Sequence, residues 1–159
     1  MRHLRTGDGP DFYFSLGEYM NKRFVISGIV ASVLFFLLGF LVHGVLLTQD
    51  YMQLKALFRP ETEAMANMPY MILAHILMGF AFAWIYSQGV SGASWIAQGV
   101  RFGTAAVFLV TIPWYLIYYS IQPWPPATIA KQIIFDGISM IITALAVAFI
   151  NKDSSAASS

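Results

Sequence analysis

The chain reads as an all-α membrane protein: an antiparallel bundle of four transmembrane helices preceded by a short N-terminal interfacial helix. Three observations predict this class. Of 159 residues, 58% are hydrophobic and only 11% are charged, against about 25% charge in a soluble domain. Four long apolar runs succeed one another, each near or above the roughly 20 residues that carry a helix across about 30 Å of hydrocarbon. The runs are too long and too continuous for barrel strands, and a segment in lipid must satisfy its own backbone, which here requires helices.

The same composition excludes several functions. A net charge of +1 without a basic patch argues against a nucleic-acid partner. With no cysteine, disulfides, thiolate metal sites and thiol redox chemistry are ruled out. No Gly-rich phosphate loop and no nucleophile–base–acid spacing occurs, so an enzyme is the less favoured reading.

Taken in order, residues 1–23 form an N-terminal segment. Gly7, Gly9 and Pro10 interrupt it, and Asp11 can cap a short helix over "DFYFSLGEYMNKR". Phe12, Phe14, Leu16, Tyr19 and Met20 beside a basic end suit a helix lying on the membrane surface. The first span, 24–49, runs 26 residues from Phe24 to Gln49 without a charge, too long for a signal-peptide core. An outer loop, 50–68, follows, in which "YMQLKALF" has a helical apolar face and Arg59-Pro60 ends it. The second span covers about 69–90. The Gly/Ser-rich "SQGVSGASWIAQG" reads as a tight loop, with Arg101 anchoring the entrance to the third span, about 102–122. "IQPWPPAT" is stiffened by Pro123, Pro125 and Pro126 and held at the interface by Trp124. A fourth span, about 127–150, contains Lys131 and Asp136, and the Ser-rich tail 151–159 is expected to be disordered. Spans 24–150 make one transmembrane domain, and short connections make successive helices antiparallel neighbours.

Topology follows from Lys and Arg. Arg2, Arg5, Lys22, Arg23, Arg101 and Lys152 fall on one side, against Lys55, Arg59 and Lys131 on the other. Six against three favours both termini in the cytoplasm.

Within the spans, polar and small residues gather on single faces at 100° per residue. Gly28, Ser32, Phe36, Gly39 and His43 share one side of the first span; His75, Gly79, Phe82, Ala83 and Tyr86 share a face of the second. Thr104, Thr111, Tyr115, Tyr118 and Gln122 align on the third, and Thr128, Gln132, Asp136, Ser139 and Thr143 fall within about 80° on the fourth. Small residues so spaced let helices approach closely in lipid. His43 lies about 8 Å below the outer end of its span and His75 about 9 Å below its own. With all polar faces inward, His43, His75, Tyr115, Tyr118, Gln132 and Asp136 meet in one layer of the outer half. Pro113, which lacks an N–H, opens the third helix beside Tyr115.

A polar group in hydrocarbon is costly without a partner, so this layer is the expected binding site for a polar ligand, a proton or a cofactor. Two imidazoles on facing helices can ligate haem iron, and His43, His75 and Asp136 supply a two-histidine, one-carboxylate set for a non-haem metal. The same groups can relay protons or hydrogen-bond a quinone-like amphipath walled by Phe and Trp. They can equally do no more than fix helix register. Two readings of another class are an accessory or scaffold subunit of a respiratory or photosynthetic membrane complex, and an oligomeric channel or carrier built from several copies. Partners beyond the lipid bilayer are then other membrane proteins or further copies of the chain.

"LLGFLVHGVLL", "MPYMILAHILMGFAFAWIY", "IPWYLIYYSIQP" and "KQIIFDGISM" resemble, over about residues 24–150, a bacterial family of uncharacterised four-helix integral membrane proteins known as a domain of unknown function. The resemblance implies the architecture and brings no activity or ligand. Members often carry an aromatic where His43 stands, so it implies no role for that residue.

Overall fold

The computed structural model describes residues 22–152. The expected interfacial helix, apart from its last two residues, and the tail from 153 lie outside the described residues. Among the described residues every regular element is helical. Four helices are long and apolar enough to cross a membrane: α1 (Lys22–Leu46), α4 (Met68–Gln88), α5 (Trp95–Ile121) and α6 (Pro126–Ile150). Two short helices, α2 (Thr48–Met52) and α3 (Glu61–Ala66), lie in the connection between α1 and α4, with a 3₁₀ turn at Lys55–Leu57 between them.

Neither α1 nor α5 is α-helical throughout. After Gly39, α1 widens into a π-helix over Phe40–Leu46, and the Leu47 N–H donates to the Val42 carbonyl five residues back at 2.9 Å. Leu47 then leaves helical geometry, at φ −100° and ψ 5°, and α2 starts in a new direction. In α5, Val107–Thr111 is π-helical and Ile112 N–H reaches back to Val107 O. Pro113 follows at once, and its missing N–H makes a regular turn there impossible.

Prolines and caps set the other ends. Pro60 holds Arg59 out of the α region, so α3 begins only after it, with Glu61 and Glu63 in its first turn where the helix dipole favours them. Pro69 and Pro126 sit in the first turns of α4 and α6, where no N–H is missed. Ser94 caps α5, its hydroxyl accepting from Ala97 N–H. Consequently α5 starts at Trp95 rather than near residue 102. Gly99, which read as a loop glycine, is with Gly103 a packing glycine: a Cβ on Gly99 would lie 3.0 Å from Leu145 Cα, and one on Gly103 2.9 Å from Ile141 Cα.

The seams use small residues as lipid-embedded helices do. Gly28 faces the Phe80 ring, Gly79 faces Ser32, and Gly39 faces His75, so contacts step down α4 as they step up α1. On α5 and α6, Gly99 meets Leu145 and Ala148, Gly103 meets Ile141 and Ala144, and Gly137 meets Val107. α1 and α6 are joined near one end, where Asn151 Nδ2 donates to Ser27 Oγ at 2.9 Å. Ala31, Phe35, Phe82, Tyr86, Met140, Ala144, Val147 and Ala148 form the core. The remaining large apolar side chains, such as Leu37, Leu77, Leu109 and Ile121, face outward, as expected where the surrounding solvent is hydrocarbon.

α4 and α5 have no comparable packing against each other. Phe82 and Tyr86 touch Phe102 near the Gly89–Ser94 connection. Farther along, the space between the two helices is a cavity.

Candidate functional site

The cavity measures about 660 Å³, inside the range of about 300–1,000 Å³ typical of drug-sized ligand sites. Phe35, Phe36 and Phe40 of α1, Met71 and Met78 of α4, Trp114 of α5 and Met140 of α6 make its apolar walls, and Phe58 and Met68 approach from the loop side. Both π-helical segments line it, through Phe40, His43 and Gly44 in α1 and Val110 and Thr111 in α5. π-turns often mark functional sites because they re-aim side chains within a helix.

One end of the cavity is polar. His43 Nδ1 lies 2.6 Å from the Tyr51 hydroxyl, and His43 Nε2 lies 3.3 Å from Asp136 Oδ2. The Tyr115 hydroxyl donates to that same carboxylate oxygen. Gln132 Nε2 donates to the Tyr51 hydroxyl at 2.9 Å. Donor chemistry orders this chain. An ionised carboxylate only accepts, so in a neutral His43 the proton sits on Nε2. Gln132 donates to the Tyr51 oxygen, which leaves the Tyr51 hydrogen for Nδ1. Asp136 thus has the Tyr115 hydroxyl as donor and the His43 ring within ion-pair distance, the kind of compensation a carboxylate at this depth requires.

Tyr51 reaches His43 because of the break at Leu47. On a straight α-helix the two would lie about 12 Å apart along the axis. Instead their rings stack at 6.0 Å and 9°. Tyr51 also packs on Phe58 at 5.1 Å and Trp124 at 6.0 Å, so α2 forms an aromatic roof. Next to it, Lys131 Nζ holds both Asp50 oxygens, at 2.8 and 3.0 Å. Burial pushes the Tyr51 hydroxyl up to about 12; its Gln132 bond pulls the other way, and the Asp136 and Asp50 charges add to the rise. Tyr51 is thus a neutral hydroxyl at physiological pH.

A second cavity of about 430 Å³ adjoins the first on the loop side, lined by Leu57, Tyr118, Gln122, Trp124 and Gln132. His43, Tyr51, Phe58, Trp114 and Tyr115 line both cavities, so the polar chain stands in the wall between them. Asp136 lines the larger cavity and Gln132 the smaller. Gln132 is 4% exposed, and its Oε1 has no hydrogen-bond partner.

Of the six residues that were expected to form one layer, the structure joins His43, Asp136 and Tyr115 directly and brings in Gln132 through Tyr51. His75 stands apart. Its Nδ1 lies 2.7 Å from the Met71 carbonyl, which can only accept, so Nδ1 carries the proton and Nε2 offers a lone pair beside Gly39 in the larger cavity. Tyr118 lines only the second cavity and rests its ring on Trp114 at 5.4 Å. The expected metal set is not assembled: among the described residues no group of three or more His, Cys, Asp and Glu could hold a metal ion. Both His43 nitrogens face protein partners.

Tyr51, Asp50 and Trp124 were missed by sequence reasoning because they lie in connections. The one available signal was the spacing of Tyr51 from His43, eight residues, which falls on the same helical face. Lys131, read only as a charge on the outer side, is the ion-pair partner of Asp50. Arg101, expected to be an interfacial anchor, also holds the Gly89–Ser94 connection, with Nη2 donating to Gly89 O and Ser91 Oγ at 3.3 and 3.4 Å.

Comparison of the chain with protein-family models, with curated proteins and with solved structures finds no match.

Proposed function

We propose that the chain is a small integral membrane protein, an antiparallel four-helix bundle of the bacterial inner membrane with cytoplasmic termini, that binds one amphipathic molecule between α4 and α5. The observation that carries this reading is the shape and polarity of the 660 Å³ cavity. Aromatic and methionine walls suit an apolar or aromatic body, and such pockets owe their specificity to a few convergent polar groups. Here those groups are Asp136 and His43 at one end and the His75 lone pair on the side wall. Separation of α4 from α5 along the cavity supports entry from the bilayer rather than from water. The opposed order of helix contacts supports the antiparallel arrangement. Lys22, Arg101 and Lys152 at one end of the spans support its orientation by the positive-inside rule.

Purified protein in lipid nanodiscs tests the reading with 2-naphthol as probe, an aromatic body with one hydroxyl. Quenching of tryptophan emission reports occupancy, since Trp114 lines the cavity. Ser139→Phe places a ring in the cavity and is expected to weaken 2-naphthol binding at least tenfold. Leu109→Phe, on the outward face at 77% exposure, is expected to leave it unchanged. Equal binding by wild type and Ser139→Phe refutes the cavity as the site.

A further inference from the structure

The polar chain does more than line one cavity: it crosses the wall into another. Asp136 faces the larger, apolar cavity and Gln132 the smaller one on the loop side, with His43 and Tyr51 common to both. The two junctions differ in length. Tyr51 O to His43 Nδ1 is 2.6 Å, and His43 Nε2 to Asp136 Oδ2 is 3.3 Å. An imidazole is bifunctional, taking a proton on one nitrogen while releasing one from the other. A tyrosine hydroxyl likewise donates and accepts. Groups of these two kinds in series, ending on a carboxylate, form a proton route.

We propose that Tyr51, His43 and Asp136 exchange one proton between the second cavity and the head of the molecule bound in the first, and that this head is a weakly acidic hydroxyl of the phenol type. The inference rests on the binding reading above for its ligand, but the route itself does not need the ligand. Starting from the hydrogen-bond order described, a hydronium ion in the second cavity gives its proton to the Tyr51 oxygen. Tyr51 passes its own hydrogen to His43 Nδ1. His43 releases the Nε2 proton to Asp136, and Asp136 protonates a phenolate oxygen in the larger cavity. The products are water, a neutral phenol, an ionised Asp136 and a neutral His43 carrying its proton on Nδ1. Release of a proton from the phenol runs the same steps backward and restores the starting order.

Surrounding groups support this assignment. Tyr115 donates to Asp136 Oδ2 and positions the carboxylate. Asp50 and Lys131 neutralise each other beside Tyr51. His75, on α4, is tied to its own helix at Met71 and takes no part in the chain. A head that cannot take up a proton and stays anionic would be repelled by Asp136, whereas a phenolate relieves that repulsion by accepting one. A cationic amine would pair with it directly and would displace His43. A neutral O–H donor fits the carboxylate and uses the route.

The test has two arms. In the first, protein labelled with ¹⁵N-histidine is placed in nanodiscs without ligand, and ring N–H exchange with water is measured by saturation transfer. The His43 signal is assigned by its loss in His43→Gln. Tyr51→Phe is expected to slow His43 exchange at least tenfold while leaving His75 unchanged. Tyr119→Phe, on an exposed face outside both cavities, is expected to change it less than twofold. An unchanged His75 signal and helical circular dichroism establish that each variant is folded. His43 exchange that Tyr51→Phe leaves unaltered or accelerates overturns the route. In the second arm, bound 2-naphthol is excited, which makes its hydroxyl strongly acidic. Naphtholate emission is expected with wild type and at least tenfold less with Asp136→Asn. Equal naphtholate emission from the two proteins overturns Asp136 as the terminal group. Failure of 2-naphthol to quench tryptophan in either protein counts against the binding reading and the phenolic head, while the first arm still decides the route.

Discussion

Replacing Tyr51 with phenylalanine removes one oxygen and keeps the ring that packs on Phe58 and Trp124. Two groups lose a partner. His43 Nδ1, on a side chain 38% exposed, can turn to the cavity and loses little. Gln132 cannot. It is 4% exposed, its Oε1 is already unpartnered, and Tyr51 is the one acceptor for its Nε2 among the described residues. Stranding a buried donor costs about 1–3 kcal/mol, whereas side-chain hydrogen bonds between membrane helices average about 0.6 kcal/mol. The second cavity, which adjoins Gln132, gives water a way to soften the loss. Tyr51→Phe should therefore destabilise the fold by about 1–2 kcal/mol.

Gln132→Leu should behave differently. It gives up the same hydrogen bond but also removes two buried polar atoms, one of which has no partner to lose. Replacing a poorly satisfied polar group with an apolar one of similar shape is close to neutral, here within about 0.5 kcal/mol. With leucine already at 132, removing the Tyr51 oxygen strands nothing, so the double variant should recover about 1 kcal/mol relative to the sum of the singles. Reversible unfolding in mixed micelles, followed by helical circular dichroism, measures all four corners of the cycle. Additivity to within about 0.3 kcal/mol would show that the Tyr51–Gln132 bond carries no coupling and that the energetic account of the polar chain is wrong.

Two further outcomes follow from local geometry. A Cβ on Gly79 would lie 2.4 Å from the Ser32 backbone nitrogen and 2.2 Å from its Oγ, so Gly79→Ala should separate α1 from α4 and cost about 1–3 kcal/mol, whereas Gly89→Ala, whose nearest neighbour is 4.0 Å away, should stay within about 0.5 kcal/mol; equal stability of the two variants refutes the close seam. Tyr51 titrates at about 12 when folded instead of 10.0, so its contribution to stability is complete below pH 10 and disappears as pH rises through 12. The tyrosinate absorbance difference between wild type and Tyr51→Phe should remain flat until that upper range, and a midpoint near 10 contradicts the buried hydroxyl.

Spans were legible in the sequence because hydrocarbon imposes a length and excludes charge, and both conditions are visible in a run such as Phe24–Gln49. Seams were legible for a related reason: small residues recur at helical spacing, and Gly79, Phe82, Ala83 and Tyr86 are the buried residues of α4. The bonding within the polar layer was not legible. His43 and Gln132 each showed as a polar residue in an apolar run, but their common partner Tyr51 sits beyond the end of the span, and only the bend at Leu47 returns it. The start of α5 was hidden by Gly99, since a glycine that admits a neighbouring backbone looks, in sequence, like one that frees a loop.

The cavity owes its existence to backbone as much as to side chains. Phenylalanine, methionine and tryptophan line it, and side chains of that size ordinarily fill space rather than leave it. What keeps the walls apart is that α1 and α5 both widen to π geometry where they border the void. In α5 the cause is local. Pro113 has no N–H for the preceding turn and its ring crowds that turn's carbonyls, so Ile112 reaches back five residues to Val107. Pro113→Ala restores the donor and lets Val107–Thr111 close into an α-helix. Interior proline costs a helix about 3 kcal/mol, part of which the π turn already absorbs, so the variant should be more stable than wild type by about 1–2 kcal/mol. The same change rotates Val110 and Thr111, narrows the cavity and should weaken 2-naphthol binding severalfold. Such opposition between stability and binding is expected when a site is held open by strain. A Pro113→Ala protein that gains stability and binds 2-naphthol as wild type does would show that the proline does not hold the cavity open.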